Sequence, residues 1–485
     1  MDASSAAVLQ RQSGQPFGSS GGAAVPGWLT RLVMPASVLA AGLMLIWPAF
    51  WNGFPLVFAD SGTYLGQALI GYVGWDRPPF YSLFLLVTDL RLSLWLPILV
   101  QGLVMAHLLS LVLRALGWAG PVPLLMAALG LAGFTALPWF AAQLMPDIGT
   151  GMVVLALWLL GFRVNVLTRW ERLWLWLLAC AAVAMHQSHL PLALGLCVVG
   201  GALLWRRMGL RAARPALLRM AGPPLVAVLA IMSANFAAHG RLSISPFGSV
   251  FLATRMIYDG PAMNWLRQAC PENGMRICPV LDRLGVGHNT FLWAPDSPLH
   301  HELGGAKAWA PEAGRIILAT LAHDPGGVAA AFLRNTWRQL GHAATGDGLE
   351  PWPGVPGPEP LIARFFPQEL EAFRAARQYR GLLLPEARSV APLHQAASLA
   401  GAVLLTLLLL LRGRRLSPAG LALGLLVLAA ILGNAMITGG LSGPAERYQA
   451  RILWLLAFVP LPLALGLRPV PGQAALLPVA RRPLG

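Results

Sequence analysis

Long apolar runs, with the charge between them sorted onto one side, constrain this chain more than any other feature. Its 485 residues are 56% hydrophobic and only 11% charged, with mean hydropathy +0.62, which excludes an ordinary soluble globule. A bilayer is crossed by about 20 mostly apolar residues per helix. On that criterion the pattern predicts an all-α polytopic protein of about ten transmembrane helices, over 29–51, 93–114, 122–141, 145–163, 173–188, 190–205, 217–238, 391–411, 418–438 and 450–467. Assigning these spans places seventeen arginines on one side, among them Arg114, Arg163, Arg206, Arg207, Arg412 and Arg481, opposed only by Asp2 and Glu171. That side carries the whole formal charge of +15, and the other balances 18 basic against 18 acidic residues. Short cytoplasmic loops are enriched in Lys and Arg. Both termini are therefore expected in the cytoplasm, and the basic character records topology and not a nucleic-acid surface.

Four regions follow. Residues 1–28, rich in Ser, Gly and Ala, read as a disordered cytoplasmic tail. Residues 29–238 form an N-terminal bundle whose first span is too long for a cleaved signal peptide. Residues 239–390 are long enough for a mainly helical domain with its own core, between the seventh and eighth spans. There, helical spacing of Ile316, Ile317, Leu318 and Leu321, then of Val328, Ala331, Phe332, Trp337 and Leu340, follows stops at Pro311 and Pro325. Residues 391–485 add the last spans and a short cytoplasmic tail. One lysine, Lys307, among many arginines, with 52 Gly and 40 Pro, suggests a GC-rich bacterial genome. The chain then sits in a bacterial inner membrane, with residues 239–390 in the periplasm. Cys270 and Cys278 fall on that oxidising side, where they form a disulfide or stay as two thiols. Cys180 and Cys197 lie in apolar spans and read as packing residues.

The polar residues that carry chemistry all project to the same outer side. The first outer loop contains Asp60 in Phe58-Ala59-Asp60-Ser61-Gly62-Thr63-Tyr64, then Asp76-Arg77-Pro78-Pro79-Phe80-Tyr81. Tyr64, Leu65, Ala68, Leu69 and Tyr72 make an apolar stripe suited to a helix lying in the membrane interface. Asp60 or Ser61 caps the helix that follows, Asp60 otherwise serving as a functional carboxylate, and Asp147 in the second loop likewise reads as a cap or a functional carboxylate. Together they are a candidate pair for a divalent cation, Mg or Mn, or for dividing base and orienting roles. His186 and His189 in the third loop are one helical turn apart and read as metal or phosphate contacts, or as interfacial histidines. Arg447 and Arg451, flanking Tyr448 in the last loop, either clamp a phosphate or snorkel to lipid headgroups, and Arg77 has the same two readings.

This pattern resembles the GT-C superfamily of membrane glycosyltransferases, in its protein mannosyltransferase and lipid A aminoarabinose transferase branch. The resemblance covers about half the chain. It is carried by Asp60 in the first outer loop, the Pro-rich Arg77–Tyr81 stretch, Asp147 in the next loop and the Arg447-Tyr448 motif. The chain differs in having His186 and His189 where that branch often has a lysine, Asp60 alone where it has an acidic pair, and its large insertion between the seventh and eighth spans. The resemblance implies inverting transfer of a sugar from a polyprenyl-phosphate donor to a glycan, lipid or protein acceptor, with Asp60 as base. Arg447, Arg451 and Arg77, or a cation at Asp147, would then meet the donor phosphate, with Tyr64, His186, His189 and Tyr448 lining the substrate site. Competing readings are a transporter or flippase for a lipid-linked glycan, a glycan polymerase or ligase, and a non-enzymatic envelope scaffold.

Overall fold

The computed structural model describes residues 27–466 apart from positions 271 and 286, so the tail assigned to 1–28 lies outside the described residues up to residue 26. The described chain is all-helical, with one isolated parallel bridge between Leu56 and Gln143. The first part runs α1 (Gly27–Leu45), α2 (Trp47–Asn52), α3 (Ala59–Ile70), α4 (Phe80–Thr88), α5 (Trp95–Leu116), α6 (Pro121–Phe134), α7 (Leu137–Ala141), α8 (Gly149–Phe162), α9 (Arg169–Met185) and α10 (His189–His239). The inserted segment holds α11 (Gly248–Asp259), α12 (Pro261–Ala269), α13 (His288–Trp293), α14 (Pro298–His301), α15 (Gly305–His323), α16 (Pro325–Gly341), α17 (Glu359–Phe365) and α18 (Leu370–Ala375). The chain returns through α19 (Leu383–Arg412), α20 (Pro418–Ala435), α21 (Glu446–Phe458) and α22 (Pro460–Leu465).

Five helical stretches are long and apolar enough to cross a bilayer: Trp95–Leu116, His189–His239, Leu383–Arg415, Pro418–Gly440 and Glu446–Leu465. This is a multi-pass membrane protein. Five is fewer than the ten expected, for physical reasons. Turns before Pro48 and Pro138, and an extended Met145 before Pro146, cut the expected early spans into shorter pieces. The expected spans 190–205 and 217–238 form one run of 51 residues, about 77 Å if straight. Gly209 interrupts it with φ 77° and ψ 161°, a conformation open to glycine, so the run is two helices. Glu171 caps α9 reciprocally with Thr168 and takes a hydrogen bond from Arg114 at 2.6 Å.

The inserted segment does not behave as one unit. Phe247 to Ile316 enclose a second apolar cluster around Trp309, Leu266 and Phe291. Inside it the buried Glu312 carboxylate accepts the backbone N–H groups of Arg276 and Ile277 and the Trp309 indole N–H. Cys270 and Cys278 are disulfide-bonded beside it. Beyond α16 the chain instead joins the main core through Leu349, Ile362, Phe366 and Phe373. Pro311 is carried inside α15 and is not a stop, whereas Pro325 does open α16. α19 starts eight residues before the expected boundary and spans about 45 Å, longer than a bilayer core.

Candidate functional site

The first two loops reach one another through backbone pairing. Leu56 N–H donates to the Ala142 carbonyl and Leu144 N–H to that of Leu56, both at 2.9 Å. Ser61 strengthens the junction, since its hydroxyl accepts from Phe58 N–H and donates to the Leu144 carbonyl, each at 2.9 Å. Ser61 therefore does the work at the start of α3 that Asp60 was a candidate for. Asp60 makes no cap hydrogen bond and stands in the first turn with its carboxylate free to pair. The stripe of Tyr64, Leu65, Ala68 and Leu69 is buried within the protein, not laid on a membrane, and only Tyr72 of that set is exposed. Tyr64 packs edge-on against Tyr81, whose hydroxyl donates to Gln101 at 2.7 Å.

Asp60 is shared by two arginines from distant segments. Arg77 Nη1 lies 3.0 Å from Asp60 Oδ1, and Arg447 Nη2 lies 3.6 Å from Asp60 Oδ2. The carboxylate keeps 26% of its surface, while the two guanidiniums keep 11% and 12%. Asp76 takes the other edge of Arg77 at 2.6 Å. Burial works against the Arg77 charge, but Asp60 and Asp76 outweigh it and hold the guanidinium above its ordinary range. Burial also pushes the Tyr64 phenol above its ordinary range, so it stays a neutral hydroxyl. Arg77 stacks on Tyr64, and Arg447 stacks on Phe58 and Tyr448.

One helical turn further along α21, Arg451 forms a second cluster. Its Nη1 donates to Asp147 Oδ1 at 2.9 Å, and its Nη2 donates to Ser188 Oγ at 2.8 Å and Asn434 Oδ1 at 3.1 Å. Asp147 and Arg451 are both fully buried. Asp147 is thus no cap either, and Arg451 does not snorkel to headgroups. Asp147 Oδ2 and Arg451 Nε are buried without a hydrogen-bond partner. The histidines do not share a continuous helix. The chain is extended at His186 and restarts at His189, although the rings remain 5.1 Å apart. His189 has both ring nitrogens engaged inside the bundle, with Thr150 Oγ1 at 2.8 Å and the Ala182 carbonyl at 2.7 Å. It is a core residue and not a ligand contact. His186 is half-buried, held by Ser188 at 2.8 Å through Nδ1.

Four residues, Asp347, Ser188, Asn434 and Gln378, were not assigned to the site from the sequence. Asp347 accepts Arg447 N–H at 3.0 Å and so fixes the start of α21. It lies between Gly346 and Gly348, both at positive φ, and a Cβ on Gly348 would fall 2.1 Å from the Phe58 ring. That Gly-Asp-Gly spacing was the available signal. Ser188 and Asn434 hold Arg451, and an asparagine within an apolar span was the signal for the second. Gln378 anchors the first loop from the inserted segment, accepting Val57 N–H at 3.0 Å and donating to its carbonyl at 2.7 Å.

As a divalent-cation pair, Asp60 and Asp147 do not fit. Each already faces guanidinium charge, and among the described residues no group of three or more His, Cys, Asp or Glu converges as a ligand set. No family profile matches this chain, and neither does any curated protein or solved structure. The arrangement offers one accessible carboxylate and two guanidiniums, from three separate segments, that could take an anionic group in exchange.

Proposed function

We propose that this chain is a membrane glycosyltransferase of the GT-C type. It would move a sugar from a polyprenyl-phosphate donor to a glycan, lipid or protein acceptor at the outer face of a bacterial inner membrane, with inversion. The observation that carries this reading is the partly open Asp60 carboxylate held between Arg77 and Arg447. The arrangement of about ten passes, both termini cytoplasmic and the inserted segment periplasmic, belongs to the same proposal and rests on the one-sided arginine distribution.

In this mechanism the donor phosphate draws Arg77 and Arg447 away from Asp60. The released carboxylate accepts the proton of the acceptor hydroxyl as its oxygen attacks the anomeric carbon. The bond from that carbon to the phosphate oxygen breaks, and its electron pair leaves with the lipid phosphate. The two guanidiniums stabilise the charge that develops there. Tyr64 and Tyr448 keep those guanidiniums in place by stacking, and Arg451 with Asp147 holds the α21 turn that presents Arg447. His186, half-buried and held by Ser188, is a further substrate contact in this reading. No step is routed through a metal ion.

The test is mass spectrometry of envelope glycans and polyprenyl-linked sugars in wild type, a deletion strain, and the deletion complemented with Asp60→Asn at matched expression. A sugar missing from the envelope, with donor accumulating in both altered strains, is the expected result. Full rescue by Asp60→Asn would remove Asp60 from the chemistry and return weight to a flippase, ligase or scaffold.

A further inference from the structure

A cavity of about 470 Å³ opens where the inserted segment meets the loop leading into α21. Its walls include Arg255 and Asp259 from α11, His288 from α13, Asn335 and Arg338 from α16, and His342 just beyond. None of these belongs to the Asp60 or Asp147 clusters. The volume suits a sugar-sized ligand.

The charge in this cavity is incompletely matched. Arg255 is only 7% exposed, and its Nη2 donates to Asp259 Oδ1 while its Nη1 donates to His288 Nδ1 at 3.3 Å. Its Nε is buried with no hydrogen-bond partner, so the guanidinium is incompletely satisfied by the protein. The other Asp259 oxygen is taken by Asn335 at 2.8 Å, and its backbone carbonyl by Arg334 at 3.3 Å. Arg338 pairs with no carboxylate among the described residues and is exposed to the opening. Two guanidiniums thus face one carboxylate whose oxygens are already engaged. Gly443 approaches so closely that a Cβ there would lie 3.0 Å from Arg255 Nη1 and 3.2 Å from His288 Nε2.

We propose that this cavity is a second binding site, taking a carboxylate or phosphate group of a ligand between Arg255 and Arg338. Charge-assisted hydrogen bonds to a partly desolvated anion are the strong kind, and two guanidiniums give them a defined geometry. Pro444, which also lines the cavity, is three residues before Arg447. Gln339 on α16 grips the intervening Ala445 from both sides, at 2.8 and 3.0 Å. Occupancy therefore bears on the loop that brings Arg447 to Asp60. The inference rests on this cavity and stands apart from the transfer reading.

The test uses the full-length protein in phosphatidylcholine nanodiscs, titrated calorimetrically with inorganic phosphate and with glucuronate. A second set of discs contains phosphatidylglycerol. Saturable binding of at least one probe is expected, weakened about tenfold or more by Arg338→Gln, a substitution at an exposed position that leaves the fold intact. Gly443→Ala, which intrudes on Arg255 and His288, is expected to weaken it as well. Binding that persists in the phosphatidylglycerol discs assigns the site to soluble anions, and competition by that lipid assigns it to a headgroup. Either supports the site. Absence of binding in phosphatidylcholine discs, or binding indifferent to both substitutions, overturns it. Asp60→Asn is expected to leave this binding unchanged, so failure here and failure of the transferase proposal are read separately.

Discussion

Two ion-pair clusters sit one helical turn apart on α21, built from the same residue types and put to opposite uses. Asp147 and Arg451 are dry, and the guanidinium is further held by Ser188 and Asn434. Asp60 is wet on one side and divided between Arg77 and Arg447, the second at 3.6 Å. A buried pair is costly to break because the surviving charge has no water to turn to. A partly exposed carboxylate can exchange partners at modest cost, since solvent screens both states. The difference teaches that the same residue types make a sealed, exclusive pair where the bundle closes over them and an open, shared one where the carboxylate keeps part of its surface.

Four changes break or sharpen that contrast. The largest effect is expected from Asp60→Asn, with the proposed transfer activity falling about 10²- to 10⁴-fold while thermal unfolding in detergent stays near wild type. A large stability loss there would make Asp60 a structural residue like Asp147. Arg451→Met is expected to cost about 3–5 kcal/mol of stability by stranding Asp147, and adding Asp147→Leu should recover part of it. A denaturation series on the single and double variants measures this, and no recovery would mean that the pair is not the source of the loss. Gly348→Ala, at φ 82° and pressed on Phe58, is expected to cost about 1–3 kcal/mol and to weaken binding of the proposed donor by disturbing Asp347 and Arg447. The readout is KM for the proposed lipid-linked donor beside the unfolding midpoint. The smallest effect belongs to Ser61→Ala, about 1 kcal/mol from the lost tie between Phe58 and Leu144. Activity reduced beyond that loss would show that the junction also sets the position of Asp60.

The candidate site was partly legible before the fold was known. Asp60, Arg77, Arg447 and Tyr448 stand out because polar groups at the ends of apolar runs need partners, and the structure brings them together. Their partners were not legible. Capping, worth about 1 kcal/mol, was one of two local readings for both aspartates, and in both places the carboxylate pairs with arginine instead. His189 looked like a surface residue because helical spacing was extended across His186–Ser188, where the chain in fact breaks and restarts. The inserted segment looked like one domain because composition does not reveal which core a helix joins. Its first part closes on Trp309, while Phe366 and Phe373 serve the main bundle.

The sequence by itself determined that this chain is helical and carries apolar segments long enough to cross a membrane, and it marked the polar residues that stand at the ends of its apolar runs. These follow from hydropathy and charge, which are sums over local segments. Only the tertiary structure decided which carboxylate is open and which is sealed. Asp147 and Arg451 stand 304 positions apart, and neither local periodicity nor propensity carries information across that distance. The choice was made by desolvation, which depends on every helix packed around the pair and therefore exists only in the folded protein.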